Sequence, residues 1–305
     1  MSTLVITGAN GFVGTHLAAT ARADGHAVWA IGREREPSAG LAPHVDEYFA
    51  ADLYDTWPVP AVGADAIVHL AGLAAVGASF AAPQRYLDVN SSIMTTMCES
   101  LLSSGERPRV VVVSSGAVYA PPADPGTPID ETAPLAPTSP YAVSKILVEA
   151  QADYYSRRGL DTVVARPFNH IGPGQGPGFI VPDLTAALRS LPDGQPLAVG
   201  NLRAARDYTD VRDVARAYLA LAFAPGHRQQ VYNVATGTSH TGHEVLEAIA
   251  EALGRRVPEL QTDAARLRPN DPPRISGDPR GLRDEFGWEP QVSWRDSVRE
   301  YVSTA

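Results

Sequence analysis

The sequence predicts an α/β fold in which helices cover both faces of a parallel β-sheet. Short runs rich in valine and isoleucine alternate with helical patterns through the first half of the chain. Strands that are apolar along their whole length are typical of parallel sheets buried on both faces. A chain of 305 residues is long enough for one sizeable core of this kind, with a smaller lobe beside it.

Six apolar runs in the first half are predicted to be strands of this sheet. They cover residues 4–6, 27–31, 47–50, 66–70, 110–113 and 162–165. The helical patterns between them predict a doubly wound, Rossmann-type sheet over residues 1–166. Such a sheet binds nucleotides outside the carboxyl ends of its strands.

The second half is expected to add a smaller α/β lobe that binds the substrate. Proline and glycine become frequent between residues 167 and 178, where the chain is predicted to leave the sheet through a substrate loop. A helix at 211–222 and an apolar strand at 231–234 would return to the first domain, which then includes about residues 207–234. Residues 167–206 and 235–305 would form the lobe.

Composition excludes several classes of function. A formal charge of −9 and a pI near 5.3 argue against nucleic acid or an anionic membrane as partner. Without an apolar run of membrane-spanning length or a leader pattern, a soluble cytoplasmic protein is expected. Cys98 is the only cysteine and lies in a helical pattern, so it is predicted to be a buried structural thiol. The eight histidines lack metal-ligand spacing, and no metal site is predicted.

A glycine-rich segment follows the first predicted strand and precedes a helical pattern. This order places backbone N–H groups and the positive end of a helix at one point, where a pyrophosphate binds. Gly8 would permit the tight turn, Gly11 the close approach of phosphate, and Gly14 the packing of helix on strand. The other expected cofactor contacts in this segment are Asn10, Phe12 and Val13.

The end of the second strand carries a clue to the cofactor. An acidic residue is typical there in NAD enzymes, but this chain has Gly32 and Arg33, with Arg35 close behind. An arginine can pair with a 2′-phosphate, so NADP(H) is favoured as the cofactor. NAD(H) stays possible, because Arg33 as a solvated loop residue would leave the choice open.

Three side chains are predicted to carry the chemistry. Lys145 is the only lysine and stands four residues after Tyr141, so both would lie on one face of a helix. Ser115 follows the strand at 110–113 and should stand at the carboxyl edge of the sheet. An ammonium and a nicotinamide cation nearby would lower the pKa of the Tyr141 phenol, so that it exchanges a proton with a carbinol oxygen held by Ser115.

The glycine segment, Ser115 and the Tyr141-x-x-x-Lys145 pair resemble the extended short-chain dehydrogenase/reductase family, which acts largely on nucleotide sugars. The resemblance covers nearly the whole chain. Residues 165–175, 199–202, 206–213 and 267–269 look most like the GDP-6-deoxy-D-mannose reductases of that family. This implies NADP(H)-dependent reduction of a nucleotide-linked 4-keto-6-deoxy sugar, with GDP-4-keto-6-deoxy-D-mannose reduced to GDP-D-rhamnose.

The resemblance also implies roles for particular residues. Asn169, Arg206 and Arg268 would contact the diphosphate of the sugar nucleotide, and Asp52 would lie near the adenine of the cofactor. Further cofactor contacts are expected at Leu53, Leu70 and Ala71, and further substrate contacts at Ser115 and Val181. A homodimer is implied, through helices around residues 83–102 and 141–157.

Two other functions stay open at this point. A nucleotide-sugar 4-epimerase uses the same serine, tyrosine and lysine but keeps a tightly bound NAD. A non-catalytic protein that senses dinucleotides has no need for the three together. A sugar 4,6-dehydratase is disfavoured, because such enzymes of this family carry an acidic residue shortly after the catalytic hydroxyl, where this chain has Gly116 and Ala117.

Overall fold

The computed structural model describes residues 2–58, 63–267 and 271–305. Its helices are α1 (Phe12–Ala23), α2 (Val76–Ser79), α3 (Pro83–Ser104), α4 (Pro140–Arg157), α5 (Ile180–Ser190), α6 (Val211–Phe223), α7 (Gly242–Ala252), α8 (Arg280–Phe286) and α9 (Trp294–Thr304). Its strands are β1 (Thr3–Thr7), β2 (Ala27–Gly32), β3 (Glu47–Ala50), β4 (Ala66–His69), β5 (Arg109–Val113), β6 (Thr162–Pro167), β7 (Asn169–Ile171), β8 (Leu197–Val199), β9 (Ala205–Arg206), β10 (Tyr208–Asp210), β11 (Val231–Val234), β12 (His240–Thr241), β13 (Leu260–Thr262) and β14 (Arg274–Ile275).

Seven of these strands form one parallel sheet in the order β11-β6-β5-β4-β1-β2-β3. The six predicted strands and the run at 231–234 are all members of it, which confirms the doubly wound fold. The strand order reverses between β1 and β4, and a crevice forms at the carboxyl ends of strands on either side of such a point. The predicted cofactor site therefore lies at the ends of β1 and β4.

Two hydrophobic cores lie on opposite faces of the sheet. Helices α1 and α6 cover one face, with Leu17 and Tyr218 fully buried, and α3 and α4 cover the other. Full burial of one large apolar side chain contributes about 1.5–3 kcal/mol. Cys98 lies in the second core, where burial raises the pKa of its thiol to about 12. The prediction of a structural thiol is confirmed.

A third core lies beyond the sheet, among α5, α7 and α9. Helix α7 begins with a capping box, in which Thr241 and Glu244 satisfy each other's backbone amides. Leu282 and Trp288 pack in the first core instead, where the Trp288 indole donates to the Asp213 carbonyl at 3.0 Å. The division between the dinucleotide-binding domain and the lobe stays a prediction, and residues near 280–290 pack with the sheet. Across the described ranges, the helices are too short or too polar to cross a membrane.

Candidate active site

The glycine loop between β1 and α1 is shaped by close backbone approaches. Gly8 has a φ of +65°, and a Cβ added there would lie 3.0 Å from the backbone N and Cα of Ala71. A Cβ at Gly14 would lie 2.6 Å from the carbonyl oxygen of Ala9. The contact at Gly14 is shorter than a side chain tolerates, and the positive φ of Gly8 together with its tight contact favours glycine there. Leu70 and Ala71 consequently lie directly beside the loop.

The N-terminus of α1 fits a phosphate group. Within the described chain, no side chain caps this helix at Gly11, and its first turn contains no acidic residue. The amides of the first turn have no partner inside a helix. Together with the helix dipole they form a site for an anion. Phe12, Val13 and Gly14 would supply these amides to the pyrophosphate of a dinucleotide.

A buried histidine joins the ends of β1 and β4. The Thr7 hydroxyl lies 3.0 Å from His69 Nδ1 and also accepts a hydrogen bond from the Ala71 amide at 3.0 Å. Burial, and then the charge of Lys145, lower the pKa of His69 to about 3. His69 is therefore neutral at physiological pH. Sequence reasoning missed this residue, although a histidine at the end of an apolar strand was the available signal.

The predicted adenosine side lies at the end of β2. Arg33 and Arg35 are exposed, whereas Asn10 turns its side chain toward the segment after β2 rather than into the glycine loop. Asp52 is exposed and its carboxylate accepts a hydrogen bond from the Tyr54 amide at 3.0 Å. Leu53 is buried in the second core. Cofactor contacts at these positions stay predictions.

Ser115, Tyr141 and Lys145 come together at the carboxyl edge of the sheet. Ser139 caps α4 by accepting a hydrogen bond from the Ala142 amide at 3.1 Å, which places Tyr141 in the first turn. The Ser115 hydroxyl lies near enough to the Tyr141 phenol to act on its pKa. Lys145 Nζ lies 5.9 Å from the centroid of the Tyr141 ring.

Burial sets the charges of this group in the protein alone. Burial raises the pKa of the Tyr141 phenol and outweighs the opposing effect of Ser115. Burial lowers the pKa of Lys145 to about 8, with Glu149 opposing the shift. The lysine ammonium donates to the Val113 carbonyl at 2.7 Å rather than to the phenol. In the protein alone Tyr141 is therefore held protonated, and the lowering of its pKa that is expected beside a nicotinamide cation stays a prediction.

A buried ion pair between Glu149 and Arg166 stabilises the helix that carries Tyr141 and Lys145. Both carboxylate oxygens of Glu149 accept hydrogen bonds from Arg166, at 2.9 and 2.6 Å, and Ser114 also donates to this carboxylate. The Arg166 guanidinium lies over the Tyr119 ring at 4.7 Å and donates to its hydroxyl at 2.8 Å. Because Glu149 lies one helical turn after Lys145, the network fixes the helix that carries the lysine. Sequence reasoning did not identify it.

The predicted substrate-binding residues differ in their exposure and in their contacts. Asn169 is exposed on β7, and Arg206 forms an ion pair with Asp271 and donates to the Pro272 carbonyl at 3.0 Å. Val181 is fully buried in the third core, so the structure leaves no surface of it for the predicted substrate contact. Its place in the apolar stripe of α5 explains the difference. Arg268 lies outside the described residues.

Aromatic stacking connects the glycine loop with the predicted substrate loop. The rings of Phe12 and His170 are stacked with centroids 6.1 Å apart, and His16 Nε2 lies 2.8 Å from the Pro173 carbonyl oxygen. Burial lowers the pKa of His170. The His170 ring thus packs between the two loops. No cluster of three or more potential metal ligands occurs among residues 2–58, 63–267 and 271–305.

Comparisons with known proteins identify the family of this chain. The model of the NAD dependent epimerase/dehydratase family matches residues 4–235. GDP-6-deoxy-D-mannose reductase from Pseudomonas aeruginosa is 34% identical over 98% of this chain and 96% of its own length. The structure of RMD from Pseudomonas aeruginosa complexed with NADPH has a TM-score of 0.84 and 31% identity, covering 100% of this chain and 98% of that chain.

A solved epimerase has the same architecture. UDP-glucose 4-epimerase from Thermus thermophilus in complex with NAD has a TM-score of 0.83 and 28% identity, covering 99% of this chain and 98% of that chain. The chain belongs to the NAD dependent epimerase/dehydratase family. It is an NAD(P)-dependent oxidoreductase, in the group that contains nucleotide-sugar reductases and epimerases.

Proposed function

We propose that this protein is an NADP(H)-dependent reductase of a nucleotide-linked 4-keto-6-deoxy sugar. The proposed reaction converts GDP-4-keto-6-deoxy-D-mannose to GDP-D-rhamnose. The observation that carries the reductive chemistry is the placement of Ser115, Tyr141 and Lys145 together beside the dinucleotide site. The similarity to a GDP-6-deoxy-D-mannose reductase supports the choice of substrate, and Arg33 supports the choice of NADP(H).

The roles of the three residues follow from their chemistry. Bound nicotinamide supplies the hydride that is added to the carbonyl carbon. Ser115 would hold the carbonyl oxygen by a hydrogen bond while Tyr141, protonated in the free protein, donates the proton to that oxygen. The ammonium of Lys145 then stabilises the phenolate, because an opposite charge nearby favours the ionised form.

The packing of Gly116 argues against a dehydratase. A Cβ added to Gly116 would lie 3.0 Å from the Phe168 ring. An acidic side chain at this position would therefore require the ring to move. Ala117, the next residue, supplies no acid either. Elimination of water from the sugar thus lacks its acid and base at the expected place.

The second candidate is a nucleotide-sugar 4-epimerase. The similarity to UDP-glucose 4-epimerase in complex with NAD favours it, because that protein shares the fold over nearly the whole chain. An epimerase would retain NAD through purification and return the hydride to the other face of the sugar. A reductase would release its oxidised cofactor and consume NADPH.

The test is a measurement of nicotinamide absorbance. Purified protein is mixed with NADPH and GDP-4-keto-6-deoxymannose, with the dTDP analogue in parallel. Stoichiometric loss of NADPH with the GDP substrate alone is expected. Loss with the dTDP substrate alone would overturn the nucleotide assignment, and copurified NAD without any loss of NADPH would favour the epimerase. Dinucleotide binding with no turnover of either kind would favour the non-catalytic sensor.

We also propose that the protein forms a homodimer through α3 and α4. Val143, Leu147 and Tyr154 lie on one exposed face of α4, and they are 41%, 39% and 51% exposed. A second copy would cover this apolar face. Light scattering should give twice the mass of one chain for the wild type and the mass of a monomer for Leu147→Glu. A monomeric wild type would contradict the proposal.

A further inference from the structure

A cluster of polar side chains lies over Gly32, the last residue of β2. Asn10 Nδ2 donates to Glu34 Oε2 at 2.9 Å and to the Tyr48 hydroxyl oxygen at 3.0 Å. The Tyr48 hydroxyl in turn donates to the Glu34 carbonyl at 2.9 Å. A Cβ added at Gly32 would lie 3.1 Å from Glu34 Oε2. The carboxylate of Glu34 is therefore held close to the end of the strand.

The cluster is connected to the glycine loop through Asn10. Its side-chain oxygen accepts a hydrogen bond from the Ser38 amide at 2.8 Å, so this one residue holds both Glu34 and the segment that follows. The hydrogen bond from Asn10, and to a smaller extent the charge of Arg33, lower the pKa of Glu34. Glu34 is accordingly an anion at neutral pH.

Two arginines, Arg33 and Arg35, flank this carboxylate in the sequence. Arg33 and Arg35 are exposed, and within the described chain neither has a carboxylate within ion-pair distance. In a doubly wound fold the adenosine ribose of a dinucleotide binds at the end of the second strand. The ribose would therefore meet one hydrogen-bonded carboxylate and two exposed cations.

We propose that Glu34 is a specificity-determining residue for the cofactor, which weakens the preference for NADP(H) that Arg33 and Arg35 create. A carboxylate held over Gly32 accepts a hydrogen bond from a free 2′-hydroxyl and repels a 2′-phosphate. The protein should therefore bind NADH as well as NADPH. This inference rests on the dinucleotide site and on the arginine-based preference of the proposed function.

Glu36 provides a matched control. It is an exposed carboxylate two residues after Glu34, and in the described structure only its backbone carbonyl accepts a hydrogen bond from Asn10, at 3.4 Å. Glu34→Gln and Glu36→Gln remove the same charge from the same segment. Glutamine at position 34 keeps an oxygen that can accept the hydrogen bond from Asn10. A difference between the two variants therefore reports the position of the Glu34 carboxylate, because both variants lower the negative charge of the segment equally.

The experiment is a titration of each protein with NADPH and, separately, with NADH, followed by nicotinamide fluorescence without any sugar nucleotide. Glu34→Gln should bind NADPH about fivefold more tightly, since two charges in a partly solvated site interact at this scale. Its affinity for NADH should stay the same or fall, and Glu36→Gln should change either affinity less than about twofold.

Three outcomes would overturn the inference. The first is an equal change for both cofactors in Glu34→Gln, and the second is the same gain for NADPH in Glu36→Gln. The third is a wild-type preference for one cofactor above about a hundredfold. Cofactor binding is measured without substrate. If the proposed reductase activity were absent, only the turnover assay would show it, and the cofactor affinities could still be interpreted.

Discussion

The glycine loop and the Ser115–Tyr141–Lys145 group lie along the same edge of the sheet but depend on different physical features. The loop uses backbone: glycines that allow close approach and helix amides that face an anion. The catalytic group uses side chains whose pKa values are set by burial. Substitutions in the loop should therefore change binding and stability, whereas substitutions in the group should change turnover and its pH dependence.

Tyr141→Phe gives the largest expected effect and tests the catalytic half of this comparison. The phenol is the proton donor, and a positioned general acid contributes about 10²–10⁴-fold to a rate. Turnover should fall by about a thousandfold, while NADPH fluorescence titration gives an unchanged affinity. Turnover within tenfold of the wild type would contradict the mechanism.

Gly14→Ala tests the role of the glycine loop in this comparison. The added Cβ would lie 2.6 Å from the Ala9 carbonyl oxygen, and the backbone must shift to accept it. Overpacking of this kind costs about 1–3 kcal/mol, and the displaced amides should weaken NADPH binding at least tenfold. Thermal unfolding and fluorescence titration measure the two effects.

Gly226→Ala is the control for this prediction, because a Cβ there would meet nothing within 4 Å. It should leave both the unfolding temperature and the affinity close to those of the wild type. If Gly14→Ala bound NADPH as tightly as Gly226→Ala does, the loop would not be the phosphate site.

The two halves also differ in how well the sequence predicted them. The strands and the glycine loop follow from local patterns, because an apolar run or a glycine carries its own conformational consequence. The contacts that tune the charges join distant residues: His69 meets Thr7 across 62 positions, and Arg166 meets Glu149 across 17. A single sequence does not show which distant side chains will contact each other in the fold.

The effect of burial on the pKa of Tyr141 could not be predicted for the same reason. Its sign depends on how completely the phenol is buried, and burial is a property of the assembled fold. The burial of Val181 was likewise not evident from the sequence. Its side chain belongs to an apolar stripe, and a motif position does not reveal which face of α5 packs inward.

The pH dependence of the reduction rate tests the role of Lys145 in the catalytic group. The pKa of Lys145 is lowered to about 8, so its ammonium is present below that pH and is lost above it. The rate of reduction at low substrate concentration should therefore fall above pH 8, by up to tenfold per pH unit. Arginine does not titrate in this range, so Lys145→Arg should be slower but should lack this alkaline limb. A limb near pH 8 in Lys145→Arg would assign it to another group.

Acid stability should reveal His69, the residue that joins the loop to the catalytic side. Its pKa is about 3 in the folded protein and near its ordinary value when unfolded, so the unfolded chain binds a proton more readily between these values. The free energy of unfolding should therefore fall as the pH drops below about 6.5, by roughly 2 kcal/mol at pH 5. His69→Gln should make urea unfolding less pH-dependent over this interval.

The half-exposed His243 is the control. His243→Gln should keep the wild-type slope of unfolding free energy against pH, because this substitution leaves the buried His69 in place. Only the slope is compared, because either substitution also changes the absolute stability. A slope in His69→Gln as steep as that of His243→Gln would mean that His69 is protonated without unfolding. The ends of β1 and β4 would then be more open to water than the packing of Thr7 and His69 implies.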